Sequence, residues 1–375
     1  MENQWLQAAM WMGLALIAIF LSVRIAISIA LLEIIVGMIG GNFLPLQRTE
    51  WLAFLAGFGS IILTFLAGAE VEPQILKRKF KESVGIGFFS FLMPFLGAMA
   101  YAYWVAGWTF PQAAIAGISL STTSVAIVYA VMIETGYNEA ELGKIILAAC
   151  FITDLGTVLA LGVFFAKYDW HLIIFIIITA ITLWLLPKFT PWFFKNFGGR
   201  ISEPETKFIF LVLFGLGGLA LTAKSEAVLP AYLVGMVLAP FFVQNRIFSQ
   251  RMRATAFSIF TPFFFLMAGS LIKLSVIWSS GFLIFMFLLV KMVAKFIGVL
   301  PLAKAFKFGK KGSMYTTLLM STGLTFGTIS ALFGYTNNII NQEQYTILVT
   351  AVILSGVVPT IIAQMWFQPG KNNNE

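Results

Sequence analysis

The sequence predicts an all-helical polytopic membrane protein with about thirteen transmembrane helices, and three observations carry that prediction. Of 375 residues, 59% are hydrophobic and 11% charged; a soluble domain of this length needs far more polar surface. Apolar runs of about 20 residues, enough to cross a hydrocarbon core of about 30 Å, recur along the whole chain. Lys and Arg collect in the short breaks between those runs, where they set topology. The net charge of +8 is therefore a property of membrane-facing loops and does not point to nucleic acid.

In order, the runs lie at 5–21, 25–41, 51–69, 83–106, 111–133, 142–166, 171–186, 207–222, 227–243, 257–271, 281–302, 313–333 and 345–366. The first follows an N-terminus without basic residues, so it is expected to stay as a span and not to be cleaved as a signal peptide. The longest polar stretch, 187–206, is expected to be a loop. Lys77, Arg78, Lys79 and Lys81 follow the third span, and Lys188, Lys195, Arg200 and Lys207 the seventh. Arg246, Arg251 and Arg253 follow the ninth, and Lys304, Lys307, Lys310 and Lys311 the eleventh. Arg24 and Lys144 join the same face, whereas the other face holds only Arg48, Lys167, Lys224 and Lys273. The positive-inside rule makes the basic face cytoplasmic, so the N-terminus is expected outside and the tail 368–375 inside.

Thirteen spans divide as six, one and six. An odd span between two six-span halves inverts their orientation, which is the arithmetic of an inverted-topology repeat. The fifth span of each half is rich in small and hydroxyl residues. The first holds Ser119, Ser121, Thr122, Thr123 and Ser124, and the second Ser321, Thr322, Gly323, Thr325, Gly327 and Thr328. Either stretch alone reads as close helix packing. The matched pair points to two broken helices framing a mid-membrane ion site.

The sixth span carries Asp154, one of only two aspartates; the other, Asp169, falls in a short loop. An isolated charge at mid-bilayer costs roughly 2.5–3.5 kcal/mol on insertion scales, so the default reading is functional. Burial raises a carboxylate's affinity for a proton and nearby positive charge lowers it, so Asp154 is a candidate to hold either a proton or a small cation. Hard cations such as Na+ take oxygen ligands, and Thr153, Thr123, Ser124 and broken-helix carbonyls are candidate donors. Lys291 and Lys295 in the eleventh span are four residues apart and share a helix face. They are the deep basic residues, so they are expected to approach Asp154 and bring the two spans together. Glu33, in the second span, is a candidate to line a funnel to the site. Glu70, Glu72 and Glu226 read as interfacial, and Glu134, Glu139 and Glu141 as loop residues on the cytoplasmic side. The single Cys150 and single His171 exclude an intrachain disulfide and a Cys- or His-rich metal centre. No nucleophile or second deep carboxylate supports an enzyme, and no catalytic residue or cofactor is expected.

Four stretches resemble the monovalent cation:proton antiporter superfamily, second branch, of sodium/proton and potassium/proton exchangers. They are LLEIIVGMIGGNFLP, FGSIILTFLAGAEVEPQILKR, STTSVAIVYAVMIETG with IILAACFITDLGTVLALG, and LLVKMVAKFIGVLPLAKAF. The resemblance implies a core that moves against a dimerisation panel, hence a homodimer in a cell (plasma or inner) membrane. Mapped on this chain, the panel takes 1–82 and 207–278 and the core takes 83–166 and 279–367, with a linker helix and loop at 167–206. Asp154 matches the ion-binding aspartate, Thr123 and Ser124 the hydroxyl pair at the first break, and Lys295 the core lysine better than Lys291. The departure is Thr153. Electrogenic members carry a second aspartate there, and electroneutral relatives asparagine or glutamine. The expected activity is exchange of Na+, Li+ or K+ for H+ at one shared carboxylate, electroneutral unless Lys295 also releases a proton. A sodium-coupled symporter of an organic anion and a cation channel are the alternatives.

Overall fold

In lipid each backbone N–H and C=O must find its partner inside the segment, so long apolar runs fold as helices. The structure, a computed structural model, describes residues 4–25, 28–70, 78–135, 137, 140–166, 170–223 and 227–368. Lys77, Lys167, Asp169, Lys224, Glu72, Glu139, Glu226 and the tail beyond 368 lie outside these residues, as does the side chain of Glu134. Among the described residues there is no strand.

The helices are α1 (Gln4–Ile25), α2 (Ile29–Phe43), α3 (Glu50–Ala69) and α4 (Phe80–Ala100), which a π turn extends to Val105. Next come α5 (Phe110–Ser121), α6 (Val125–Thr135), α7 (Glu141–Phe165), α8 (Trp170–Phe197), α9 (Pro204–Thr222) and α10 (Val228–Gln244). The chain continues with α11 (Arg246–Thr255), a π turn, α12 (Thr261–Ser270) and the short α13 (Leu274–Ser279). It ends with α14 (Gly281–Ala305), α15 (Gly309–Met320), α16 (Thr325–Thr336) and α17 (Gln342–Trp366). Among the described residues, ten helical stretches are long and apolar enough to cross a membrane. With the shorter α2 and α10 and the α5–α6 pair they make the thirteen spans expected, and the protein is a multi-pass membrane protein.

Two boundaries differ from expectation. The segment 187–197 is not a polar loop, because α8 runs on to Phe197 despite Pro187 and Pro191. Its aromatic residues hold it: Phe194 meets Phe241 and Phe248 with ring centroids 4.8 and 4.9 Å apart. Arg246, Arg251 and Arg253 are likewise not loop residues, since a helix runs through Arg246–Ser270. Arg251 pairs with Glu203 at 2.7 Å and Arg253 with Glu70 at 3.0 Å, so each guanidinium has a local carboxylate that the hydropathy pattern cannot show.

The chain forms two compact units. One holds residues 50–73 and 158–264. Its α3 and α10 touch backbone to backbone, with Gly68 against Tyr232 and Gly235 against Phe65. Phe58, Ile62, Phe65, Leu213, Leu238 and Phe242 fill its core. The other holds residues 1–49, 74–157 and 265–375, and with them every residue proposed above for the ion site. There α4 packs along α5 and α14, and α16 and α17 pack on α5.

Candidate functional site

The site begins with two interrupted helices. The first break, Thr122 to Ser124, separates α5 from α6, and the second, Ser321 to Leu324, separates α15 from α16. A helix end leaves four carbonyls without intrahelical donors. At α15 they are all met. Thr317 O accepts from Ser321 Oγ at 2.7 Å, Leu318 O from the Ser321 amide at 3.1 Å, and Leu319 O from Thr322 Oγ1 at 2.8 Å. The fourth, Met320 O, accepts from Thr123 Oγ1 of the other break at 2.9 Å. The Ser124 amide in turn donates to Thr322 O at 3.1 Å. The two breaks are thus stitched to one another, and the hydroxyls that interrupt the helices also satisfy the groups the interruption frees. Gly327 lets α16 cross α5 closely, since a Cβ there would lie 2.8 Å from Ser119 O.

Each lysine of α14 reaches one break. Lys295 Nζ donates to Thr123 Oγ1 at 3.0 Å and to Ser90 Oγ of α4 at 2.8 Å. Lys291 Nζ donates to Ser355 Oγ of α17 at 2.8 Å and stands over Gly323, where any Cβ would collide with it. Both lysines are 0% exposed. Two half-helices, α5 and α15, end at these breaks, and helix C-termini carry partial negative charge that favours ammonium groups.

Asp154 is 1% exposed on α7. Around it α7 is fixed against α4: Gly87 would meet Ala149 O and Ile152 if it bore a Cβ, and Gly156 would meet Phe91. Thr153 makes the same connection with a hydrogen bond, its hydroxyl lying 3.2 Å from Gly87 O and 3.0 Å from Ala149 O. Cys150 meets Met320 with 3.8 Å between sulfurs, which ties α7 to the second broken helix.

The structure therefore brings Thr123, Ser124, Thr322 and Lys295 into one hydrogen-bonded network, with Lys291 against Gly323 of the second break and Asp154 buried on α7. Thr153 is used as a link between helices, its proton directed to carbonyls and not to a break. Thr325 opens α16 and is half-buried. Glu33 is 1% exposed, on a stretch of α2 that is largely buried. Both lysines donate to hydroxyls, and two of those partners, Ser90 and Ser355, were not anticipated from sequence. A signal for them exists, since each is a buried hydroxyl in an otherwise apolar turn, FFSFL and VILSGV. Among the described residues no cluster of His, Cys, Asp and Glu is arranged to hold a metal ion.

The chain is 28% identical over 350 residues to the "Probable Na(+)/H(+) antiporter 3" of Methanocaldococcus jannaschii, covering 90% of this chain and 89% of that one. It is 25% identical over 325 residues to the "Na(+)/H(+) antiporter" of Enterococcus hirae, covering 81% and 82%. It is 22% identical over 359 residues to the "Na(+)/H(+)-K(+) antiporter GerN" of Bacillus cereus, covering 90% and 89%. Its fold matches the structure of the sodium proton antiporter MjNhaP1 from Methanocaldococcus jannaschii at pH 8 with TM-score 0.66 and 13% identity, over 95% and 94% of the two chains. Residues 12–368 match the family described as "Sodium/hydrogen exchanger, transmembrane". With its thirteen helical spans and paired broken helices, the chain belongs to the sodium/hydrogen exchanger family, a family of transporters and not of enzymes.

Proposed function

We propose that the chain is an alternating-access antiporter that exchanges Na+ for H+, with Asp154 as the shared seat of cation and proton. One observation carries this reading. The buried carboxylate of Asp154 sits on a helix tied to α4 through Thr153 and to the second broken helix through Cys150, in the same unit as two mutually bonded breaks, each met by a hydroxyl-held lysine. Cation and proton compete for the same oxygens, so occupation by one excludes the other and couples their movement. Thr123, Ser124 and break carbonyls are the proposed oxygen ligands beside Asp154 when Na+ is bound. The N-terminal ends of α6 and α16 carry partial positive charge that favours the carboxylate once its cation leaves.

One carboxylate gives one proton per cation and electroneutral exchange, because Thr153 brings no second acid. Na+ is the proposed substrate on the names of the relatives, with Li+ sharing its oxygen chemistry; GerN's name also includes K+. The core of 83–166 and 279–367 is proposed to move relative to a dimerisation panel of 1–82 and 207–278, in a homodimer whose basic loops face the cytoplasm.

The test is Na+-driven proton flux in proteoliposomes of purified protein. Asp154→Asn should abolish it, and apparent Na+ affinity of the native protein should fall as pH falls, since the proton competes. Full activity in Asp154→Asn sinks the shared-site mechanism. Flux that needs an added organic anion would favour symport, and flux that responds to imposed voltage would exclude one-to-one exchange.

A further inference from the structure

Lys291 has no task in the exchange just described. It lies one helical turn from Lys295 on the same face of α14, yet reaches a different break. Hydroxyl oxygens of two elements lie near its ammonium. Ser355 Oγ, 2.8 Å from Nζ, gives its own proton to Val352 O at 2.7 Å, so a lone pair faces the ammonium. Thr122 Oγ1 gives its proton to Ser119 O at 3.2 Å and likewise keeps lone pairs for a cation. Both hydroxyl oxygens lie 3.1 Å from the Cβ position of Gly323, and Lys291 Nζ stands against that same position. The C-terminal ends of α5 and α15 add partial negative charge. Four elements thus converge on a small, fully buried, oxygen-lined cradle: the end of α5, the second break, α17 and α14. The charge that fills it arrives on a side chain.

We propose that the Lys291 ammonium is a tethered cation occupying an alkali-ion cradle at the second break, which confines the transported ion to Asp154. The proposal rests on the reading of Asp154 as the ion seat. It makes Lys291 a specificity-determining residue that sets how many ions the protein holds.

Equilibrium binding of radioactive Na+ to purified full-length protein at alkaline pH tests it. Wild type should bind one Na+ per chain and Asp154→Asn none. Lys291→Ala should bind two, and the double variant Asp154→Asn/Lys291→Ala one. Unchanged counts on removing Lys291, in both backgrounds, would overturn the proposal. One Na+ retained by Asp154→Asn alone would instead overturn the reading of Asp154. Should Lys291→Ala not fold, Lys291→Gln keeps an N–H donor without charge on a side chain one atom shorter. The unfolding temperature of Asp154→Asn/Lys291→Gln should then rise in NaCl over choline chloride while that of Asp154→Asn does not. Equal responses would overturn the proposal.

Discussion

At the residue scale the informative position is Thr153. In place of a second acid it supplies a hydroxyl that holds α7 to α4 through Gly87 O. A hydrogen bond of this kind contributes about 1 kcal/mol net. Thr153→Val should therefore lower thermal stability slightly and leave the ion stoichiometry as it is, checked by thermal unfolding in detergent and by flux at zero and imposed voltage. Thr153→Asp should add a second acid beside Asp154 and make flux voltage-sensitive in the same assay. An unchanged voltage response would show that position 153 does not set stoichiometry. Asp154 itself was legible from sequence, because a lone carboxylate in an apolar run of this length carries a large insertion cost that packing alone does not require. Ser90 and Ser355 were not, because a single serine in a span commonly bonds its own helix, as Ser355 also does through Val352 O.

At the element scale the recurring device is the small residue that lets two helices touch. Gly235 of α10 would place a Cβ 2.8 Å from the Ala69 amide, a backbone atom that cannot turn aside. Overpacking of this sort costs about 1–3 kcal/mol. Gly235→Ala should lower the unfolding temperature, whereas Gly57→Ala, with nothing within 4 Å of its Cβ position, should leave it unchanged or raise it. The difference between the two variants is the measurement, since both gain the same helix propensity. At the start of α17, the Asn341 side chain accepts from the Gln344 amide at 2.8 Å in a capping box. Asn341→Ala should cost about 1 kcal/mol on the same assay. The paired breaks were legible as composition, through their hydroxyls and glycines. That they bond to each other, Thr123 to Met320 and Ser124 to Thr322, was not, because those partners lie nearly 200 residues apart.

At the scale of the whole molecule the testable quantities are orientation and copy number. Cys150 is fully buried, so it should be silent to a membrane-impermeant maleimide. Gln4→Cys should label in intact cells and Gln368→Cys only after the membrane is opened; the reverse pattern would overturn the assigned topology. Light scattering of the detergent-corrected particle should give twice the 41.4 kDa of one chain if the protein is a homodimer.

Hydropathy and charge order are properties that add up along the chain. For that reason thirteen spans, their alternation and the depth of Asp154 and the two lysines could be read residue by residue. The extents of α8 and α11 could not: aromatic contacts and two ion pairs with residues elsewhere in the chain accompany helix outside the apolar runs 171–186 and 257–271. The same holds for the site. A buried polar atom must find a partner, but which partner depends on pairs of atoms brought together by packing. The order of residues placed Lys291 and Lys295 on one face of one helix. Only the crossing of the two broken helices beneath that face gave each lysine a different break to hold.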